Sequence, residues 1–259
     1  MFLINPIVKI KYYLRKILFF GSRYQCPMCG SKVKTLRPFG LNFPVLTEKK
    51  VIGGGYRLHA QCPVCRSFDR ERLVYLYLLK KTNFCDENLK LLHIAPEERL
   101  SAFIKKRSNI DYLTADIDLQ RGNVMVKMDI TQINYPDNTF DVVICNHVLE
   151  HIIDDHKAMS ELFRVLKPNG WGILQVPISL SLSETFEDAS VTTPEERERI
   201  FGQSDHVRIY AMDYVDRLKK SGFDVEVFNW QDDPQFSSVD NKYGLIELEK
   251  VFVVHKPEI

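Results

Sequence analysis

Four cysteines stand in two identical frames whose spacing is typical of a metal site. They are Cys26 and Cys29 in the run CPMC, and Cys62 and Cys65 in the run CPVC. A C-x2-C turn points both sulfurs at one ion about 2.3 Å away, and two such turns complete a tetrahedron. The spacing predicts a structural zinc site that holds a small module together and performs no chemistry. An iron or redox site is the alternative.

The N-terminus does not resemble a secretory signal, because basic residues interrupt every apolar stretch near it. They are Lys9, Lys11, Arg15 and Lys16. The expected compartment is therefore the reducing cytoplasm, where disulfides are rare. Cys85 and Cys145 have no partner at ligand spacing, and we expect them in the core. No run of about 18 apolar residues predicts a transmembrane helix.

The charges divide unevenly along the chain. Its 259 residues carry a formal net charge of +1, but residues 1–83 hold 16 Lys and Arg against 3 Asp and Glu. The remaining residues hold 19 bases against 31 acids. A basic front and an acidic rear indicate two modules with different partners. Nucleic acid, anionic lipid and the acidic rear itself are all candidate partners for the front.

Residues 7–20 are predicted to form a basic amphipathic helix. Its apolar face consists of Ile7, Ile10, Leu14, Ile17 and Leu18, with the four basic residues opposite. Two interpretations stay open. The apolar stripe docks on the protein's own body, as in most amphipathic helices, or the helix lies on an anionic membrane or a partner surface.

From about residue 88, strands alternate with helices. The predicted strands are Leu89–Ala95, Asp111–Asp116, Val124–Met128, Phe140–Cys145, Trp171–Val176, Phe223–Asn229 and Val251–His255. The predicted helices are Phe68–Lys81, Glu97–Lys106, Asp155–Leu166 and Ala211–Ser221. Repeated β-α-β units predict an α/β fold with a mostly parallel sheet and helices on both faces.

The same pattern predicts three units along the chain. They are the basic helix over 1–22, the zinc module with its following helix over 23–83, and the sheet domain over 84–259. Acids and amides stand where predicted strands end, at Asp116, Asp129 and Asn146. Ligands of such sheets bind outside the carboxyl ends of the strands. We therefore expect a binding crevice at this edge.

Two longer motifs then resemble a known family. The run FDVVICNHVLEH over 140–151 and the run ELFRVLKPNG over 161–170, with Asp129-Ile130 upstream, are similar to class I S-adenosylmethionine-dependent methyltransferases of the type-11 kind. The resemblance spans roughly residues 89–256, and an ordered set of motifs is more specific than a single short match. It implies a Rossmann-like seven-stranded sheet, S-adenosylmethionine as cofactor and methyl transfer as the reaction.

The resemblance also implies which residues bind the cofactor. They are Asp116, Ile117, Asp129, Ile130, Asn146 and His147. Asp116 matches the acid that holds the two ribose hydroxyls, since two carboxylate oxygens suit two neighbouring donors. Asp129 matches the acid that accepts from the adenine amino group, beside the backbone N–H and apolar wall of Ile130. Asn146 and His147 match the methionine and methyl end of the pocket.

The loop after the first strand departs from the family pattern. An acidic residue and a Gly-x-Gly turn are usual there, and glycines let the backbone approach the cofactor. This chain has the run HIAPE over 93–97, which resembles a subgroup of zinc-knuckle methyltransferase-like proteins. We expect His93, Ala95, Pro96 and Glu97 at the cofactor, with Glu97 accepting from its ammonium group. A degenerate site that no longer binds cofactor is the alternative.

The loop over 202–210 holds four predicted substrate contacts, Asp205, His206, Arg208 and Tyr210. The resemblance places a substrate loop there, and functional groups often collect in loops. His147 and His206 are the candidate catalytic bases, because histidine titrates near neutral pH. We assign His151 to packing at a helix start. Arg208 is expected to bind an anionic group or to pair with one of the acids Glu195, Glu196 and Glu198.

The sequence therefore predicts a soluble cytoplasmic methyltransferase acting on an oxygen or nitrogen of a small-molecule, glycan or lipid-linked acceptor. The basic helix would hold it near the inner membrane surface. One alternative is an rRNA-type methyltransferase whose basic zinc module contacts RNA phosphates. Another is a non-catalytic adaptor. The acceptor atom and the oligomeric state stay open.

Overall fold

The computed structural model describes residues 6–236 and 240–258. Its front part contains α1 (Pro6–Leu18), β1 (Phe20–Gln25), β2 (Lys32–Val33), β3 (Arg37–Phe39), α2 (Pro44–Glu48), β4 (Val51–Ile52), β5 (Arg57–Gln61) and α3 (Asp69–Lys81). Strand β1 pairs with β2, and β3 pairs with β5, both antiparallel. The two cysteine pairs follow β1 and β5, so each sits at the end of a hairpin strand.

The rest of the chain forms the sheet domain. Its strands are β6 (Leu89–Ile94), β7 (Ile110–Asp116), β8 (Val126–Lys127), β9 (Phe140–Asn146), β10 (Leu166–Gln175), β11 (Ile178–Ser179), β12 (Phe186–Glu187), β13 (Arg208–Ile209), β14 (Asp224–Asn229) and β15 (Lys250–His255). Its helices are α4 (Glu98–Ile104), α5 (Asp155–Val165), α6 (Pro194–Phe201) and α7 (Tyr214–Lys220).

Seven of these strands form one sheet in the order β14-β15-β10-β9-β6-β7-β8. Strands β8, β7, β6, β9 and β10 run parallel, and β15 is antiparallel to both of its neighbours. The predicted α/β class with a seven-stranded, mostly parallel sheet is confirmed. The order reverses between β6 and β9, so their carboxyl ends flank the crevice in which such sheets bind ligands.

Apolar cores cover both faces of the sheet. On one face α5 and α7 bury Met159, Leu162 and Leu218 against the strands. On the other face α3 and α4 bury Leu73 and Leu100. Helix α3 therefore packs with the sheet domain, although the sequence analysis grouped it with the zinc module. Burial of its apolar residues requires a larger apolar surface than the small module offers.

Element boundaries differ modestly from the sequence-based expectations. The third strand is only Val126–Lys127, and the helix expected from Ala211 begins at Tyr214. The helix expected over 7–20 ends at Leu18, where β1 takes over after one residue. Helix ends are weakly specified, because capping and tertiary packing decide them as much as propensity does.

The front module is joined to the sheet domain by backbone pairing. Strand β4 pairs antiparallel with β11, which follows strand β10 of the large sheet. Buried Arg72 adds to this connection by donating to the carbonyls of Ala60 and Gly244, at 3.0 and 2.6 Å. The loop Gly53–Gly55 lies against the sheet domain. A Cβ on Gly53 would stand 3.6 Å from the His147 ring.

Helix α1 leaves its apolar stripe exposed. Ile10, Leu14, Ile17 and Leu18 are 58 to 76% exposed, so within the described part of the chain the stripe does not dock on the protein's own body. Tyr12 is the helix residue that packs on the core of the cysteine module. Among the described residues, no helix combines the length and apolar character that crossing a bilayer requires.

Candidate active site

The four predicted metal ligands lie together in the front module. The Sγ atoms of Cys26 and Cys65 are 3.6 Å apart, and those of Cys29 and Cys62 are 4.0 Å apart. All four sulfurs lie within 4.8 Å of one another. Thiolates on a tetrahedral zinc at about 2.3 Å stand about 3.8 Å from each other. The sulfur positions therefore fit a four-coordinate metal.

The two cysteine turns have the same backbone. In the first, the amide of Gly30 donates to the Cys26 carbonyl at 2.9 Å, and in the second Arg66 donates to Cys62 at 2.9 Å. Gly30 and Arg66 both have φ of 69°. Glycine adopts this left-handed conformation without strain, whereas arginine does not. The second turn therefore keeps the geometry of the first despite an unfavourable residue.

A cavity of about 600 Å³ lies at the carboxyl ends of β6, β7 and β9. Six of the predicted cofactor-binding residues line it, namely Ala95, Asp116, Ile117, Asp129, Ile130 and His147. They come from four separate segments of the sequence. The parallel sheet brings these segments together because the carboxyl ends of its strands lie at one edge.

The two carboxylates predicted to bind the cofactor stand at this cavity in different surroundings. Asp116 is only 4% exposed, and it accepts a hydrogen bond from the Asp118 amide at 2.9 Å. Asp129 is exposed and accepts from the amide and hydroxyl of Thr131, at 2.8 and 2.7 Å. These bonds to Thr131 lower the pKa of Asp129, so that carboxylate stays ionised. Both residues keep acceptor capacity for a guest.

The loop after β6 makes a tight turn without glycine. Ala95 has φ of +48°, in the left-handed region, and its amide donates to the Ala115 carbonyl at 2.8 Å. Alanine is the smallest residue with a Cβ, so it adds the least bulk where the chain turns beside the cavity. The space next to this loop is open, since Ala95 itself lines the cavity.

The other residues of this loop form a buried hydrogen-bond network. The Glu97 carboxylate lies 2.8 Å from His93 Nε2 and accepts from the Asn146 amide at 3.0 Å. The other ring nitrogen of His93 is 2.8 Å from the Tyr112 hydroxyl. Burial alone would raise the pKa of Glu97, but the bond to His93 lowers it. The network therefore joins the carboxyl ends of β6 and β9 and connects them to Tyr112 within β7.

This network lies beneath the cavity. His93, Pro96, Glu97 and Asn146, four residues that the sequence analysis placed at the cofactor, line neither this cavity nor the one described next. Asn146 Oδ1 is buried without a hydrogen-bond partner among the described residues. One Glu97 oxygen contacts His93 and the other contacts Asn146, so in this structure the carboxylate holds the ends of β6 and β9 in place.

A second cavity, of about 580 Å³, lies between the front module and the sheet domain. Phe39, Gly53 and Tyr56 supply its wall on the module side. Phe201 and His206 supply part of the opposite wall. The front module therefore encloses a space above the sheet edge, which we call the acceptor cavity, and we call the first one the cofactor cavity.

The two cavities meet at a pair of histidines. His147 and His151 line both of them. His147 Nδ1 stands 3.6 Å from the carboxylate of Glu150. Burial would raise the pKa of Glu150, but the neighbouring His147 lowers that pKa to about 2. An ionised, buried carboxylate thus stands beside an imidazole that lines both cavities.

His206 and Asp205 extend this polar cluster on either side. His206 lines the acceptor cavity, and its ring lies 4.7 Å from the ring of His151. Burial lowers the pKa of His206 to about 4, so the imidazole is neutral at pH 7. Asp205 lines the cofactor cavity, with Oδ2 3.2 Å from His151 Nδ1. His151, assigned from sequence to packing alone, therefore belongs to this cluster.

The other two predicted substrate contacts are held by the protein itself. Arg208 lines the acceptor cavity but donates to the carbonyls of Leu149 and Ile153, at 3.0 and 2.9 Å, and to Glu187 at 2.9 Å. Tyr210 is fully buried and lines neither cavity. Its hydroxyl donates to Asp155 at 2.7 Å. Both side chains fasten the loop onto helix α5 and the turn before it.

Sequence reasoning did not find the module-side wall of the acceptor cavity. Besides the aromatic and glycine residues, Arg57 and Arg70 line it. The one available signal was the dense charged run Asp69-Arg70-Glu71-Arg72 directly after the second cysteine turn. Its meaning depends on how the module sits on the sheet domain, which spacing along the chain does not reveal.

Comparisons with known proteins agree with this geometry. Residues 85–174 match the family described as methyltransferase domain. A "probable S-adenosylmethionine-dependent methyltransferase" of Mycolicibacterium smegmatis is 28% identical over 110 residues, which is 42% of this chain and 36% of that protein. The ubiquinone/menaquinone biosynthesis C-methyltransferase UbiE of Pasteurella multocida is 46% identical over 50 residues, 19% of each protein. The matches thus span about a third or less of these relatives.

Among solved structures, the phosphoethanolamine N-methyltransferase 2 of Haemonchus contortus, in complex with S-adenosylmethionine, aligns with a TM-score of 0.48 and 17% identity. The alignment covers 74% of this chain and 53% of that one. The family match begins before β6, ends within β10 and contains most of the residues that line the cofactor cavity. The family match and the named relatives support a class I S-adenosylmethionine-dependent methyltransferase domain in this part of the chain.

Proposed function

We propose that the protein transfers the methyl group of S-adenosylmethionine to an oxygen or nitrogen of a small-molecule, glycan or lipid-linked acceptor. The observation that carries this proposal is that His147 and His151 line both cavities. One cavity lies at the sheet edge where the family binds its cofactor, and the other is large enough for a second molecule. Methyl transfer needs this arrangement, because the nucleophile must approach in line with the sulfur–carbon bond.

The experiment is incubation of the purified protein and methyl-labelled cofactor with separate RNA, lipid and soluble fractions of cells. Label in the lipid or soluble fraction is expected. Label in RNA would replace the proposed acceptor class with nucleic acid, and no label in any fraction would contradict the activity. Label on carbon, the atom type in the name of the Pasteurella relative, would contradict transfer to oxygen or nitrogen.

The cofactor supplies a methyl group on a positively charged sulfur, and the protein supplies binding and alignment. Asp116 would hold the ribose hydroxyls, and Asp129 with Ile130 would receive the adenine. Ala95 would pack beside the amino-acid part, supported from below by the Glu97 network. The front module covers the acceptor cavity, and exclusion of water from a charged reactant favours the transfer.

His147 is the better placed of the two candidate bases. It lines both cavities, and its Nε2 is buried without a hydrogen-bond partner among the described residues. Burial and the nearby Arg70 charge lower its pKa, so the ring is neutral at pH 7 and can accept a proton from the acceptor. Glu150, 3.6 Å from Nδ1, would then stabilise the imidazolium. His206 would position the acceptor from the opposite wall.

The proposed cofactor contact at Asp116 predicts a measurable loss of affinity. Asp116→Ala should weaken S-adenosylmethionine binding by about 1–3 kcal/mol, which is the scale for removing a charged hydrogen-bond partner. Isothermal titration calorimetry measures it. Asp111→Ala, at an exposed position on the same strand, is the control and should bind normally. Unchanged affinity in Asp116→Ala would contradict the placement of the ribose.

We also propose that the four cysteines bind a structural zinc ion. The sulfur separations of 3.6 and 4.0 Å fit a tetrahedral site. Cys26, Cys62 and their apolar neighbours make up most of the small core of this module. A core of this size supplies little folding free energy by itself, and a metal would supply the rest.

Helix α1 is proposed to rest on an anionic membrane surface. Its stripe of Ile10, Leu14, Ile17 and Leu18 is exposed, and the helix carries four basic residues and no acidic one. Apolar side chains would enter the interface while Lys and Arg meet lipid phosphates. This placement would bring the acceptor cavity close to lipid-linked acceptors.

Vesicle sedimentation tests the membrane proposal. Wild-type protein should sediment with vesicles that contain phosphatidylglycerol and not with phosphatidylcholine alone. The double variant Leu14→Glu, Ile17→Glu should reduce binding at least about tenfold, because it removes two apolar anchors and adds two repelled charges. Leu119→Glu, at an exposed apolar position of the sheet domain, is the control. Equal sedimentation of the double variant and wild type would reject the proposal.

A further inference from the structure

Three arginines line the acceptor cavity, and in two of them most guanidinium donors bond to other groups of the protein. Arg208 is bonded to main-chain carbonyls and to Glu187. Arg57 donates to both carboxylate oxygens of Asp69, at 2.8 and 3.3 Å, and to the Gly55 carbonyl at 2.8 Å. Neither guanidinium has much donor capacity left for a guest molecule.

Arg70 is the exception. Within residues 6–236 and 240–258, its guanidinium has no hydrogen-bond or ion-pair partner, and its Nε is buried. A buried donor without a partner costs free energy, more so on a charged group. A guanidinium presents a planar fork that matches the two oxygens of a carboxylate or phosphate. The unpaired group therefore faces a cavity that can supply such a partner.

The residues around Arg70 fix its backbone at the start of α3. Asp69 is buried and held by Arg57. Glu71 is buried and accepts from the amides of Phe68 and Arg99, at 2.7 and 3.0 Å. Arg72 is also buried and bonded to main-chain carbonyls. A side chain without a partner thus stands in a rigid frame, which is the arrangement that a preorganised binding group requires.

Arg70 also lies near the chemically important end of the cavities. Its charge lowers the pKa of His147 and of Glu97, which stand at the passage and beneath the cofactor cavity. The neighbouring Glu249 does not compete for it at neutral pH, since burial raises the pKa of that carboxyl to about 8. Arg70 and His147 line the same acceptor cavity, so an anion bound by Arg70 would lie in the cavity that His147 faces.

We propose that Arg70 is an oxyanion receptor that binds a carboxylate or phosphate group in the acceptor cavity. Because it lines the acceptor cavity and not the cofactor cavity, the favoured source is an anionic group of the acceptor. The amino-acid carboxylate of the cofactor is the other source of the same chemistry. The inference rests on the proposed function only for the identity of the two guests, and anion binding itself can be measured without turnover.

Calorimetry on the full chain tests this proposal with three probes, which are inorganic phosphate, S-adenosylmethionine and decarboxylated S-adenosylmethionine. The test variant is Arg70→Gln. Arg37→Gln, at an exposed position of the same module outside the cavity, is the control and should behave as wild type. Arg70→Lys keeps the charge without the fork and should fall between the two.

For an acceptor anion, Arg70→Gln should lose phosphate binding at least tenfold and bind S-adenosylmethionine normally. For the cofactor carboxylate, it should lose at least tenfold in affinity for S-adenosylmethionine and nothing for the decarboxylated form. Wild-type affinities for all probes in Arg70→Gln would overturn the proposal. Wild-type protein that binds phosphate through Arg70 but not S-adenosylmethionine would contradict the proposed function and leave the oxyanion site standing.

Discussion

Replacing His147 with asparagine should lower kcat by about 10²–10⁴-fold, the range for loss of a general base. Asparagine is the suitable replacement because His147 has φ of 55°, and asparagine tolerates this left-handed region better than most residues. The variant removes the ring whose Nε2 has no hydrogen-bond partner among the described residues. It does not alter Asp116 or Asp129. Single-turnover methyl transfer, measured once an acceptor fraction is identified, reports the change.

The pH dependence of the activity provides a second test of His147. The base must be deprotonated to act, and burial, followed by the Arg70 charge, lowers the pKa of His147. Activity should therefore hold constant as the pH falls through 6.5, the ordinary histidine range, and decline only below it. Glu150, which lies 3.6 Å away and opposes the shift, and the neighbouring His151 and His206 face the same space.

A control separates chemistry from folding in this prediction. His156→Gln alters an exposed histidine on α5, outside both cavities, and should keep wild-type kcat. The loss of kcat in His147→Asn should exceed any loss of S-adenosylmethionine affinity, because Asp116 and Asp129 remain in place. Full activity of that variant would remove His147 from the proposed mechanism and leave His206 as the remaining candidate base.

Removal of the metal should unfold the front module and leave the sheet domain folded. Structural zinc sites supply about 10–16 kcal/mol of apparent binding free energy in small peptides. The module's own core has six buried side chains, and two of them are the proposed ligands Cys26 and Cys62. Treatment with a strong chelator, or the variant Cys62→Ser, should make residues 23–67 sensitive to protease. Limited proteolysis with mass spectrometry locates the cleavage sites.

Binding measurements extend this prediction to the two cavities. The cofactor cavity is built from sheet-domain segments, so S-adenosylmethionine should still bind after the metal is removed. The acceptor cavity loses its module-side wall, so methyl transfer should fall below one-tenth of the wild-type rate. Cys85→Ser, at a cysteine without ligand neighbours, is the control. A metal-free protein that resists protease over residues 23–67 would reject the zinc proposal.

The central sheet could be predicted because its strands are short apolar runs with polar residues at their ends. Strand β9, for example, buries Val142, Val143, Ile144 and Cys145, and Asn146 follows at the sheet edge. Once the parallel order is known, the approach of Asp116 to Asp129 follows from geometry. The cysteine cluster could also be predicted, since a four-thiolate site depends mainly on spacing within each pair.

The acceptor side could not be predicted in the same way. Arg208 and Arg70 are equally polar in the sequence. Arg208 donates to main-chain carbonyls just before α5, whereas Arg70 has no hydrogen-bond partner among the residues that the structure describes. The difference arises from contacts between segments more than 50 residues apart. Likewise, three consecutive glycines favour a mobile tip, but here Gly53 lies beside His147 because β4 pairs with β11.

The pairing of β4 with β11 also bears on how such proteins can diversify. Residues Val51–Ile52 of the module pair with Ile178–Ser179, which lie shortly after strand β10 of the large sheet. An exchange of the first 83 residues between two homologues would mismatch this ladder unless the segment around 177–180 were exchanged with them. Chimaeras that join a foreign module to this sheet domain should therefore take both segments from one parent. Specificity for the acceptor should then follow the parent that supplies the two segments.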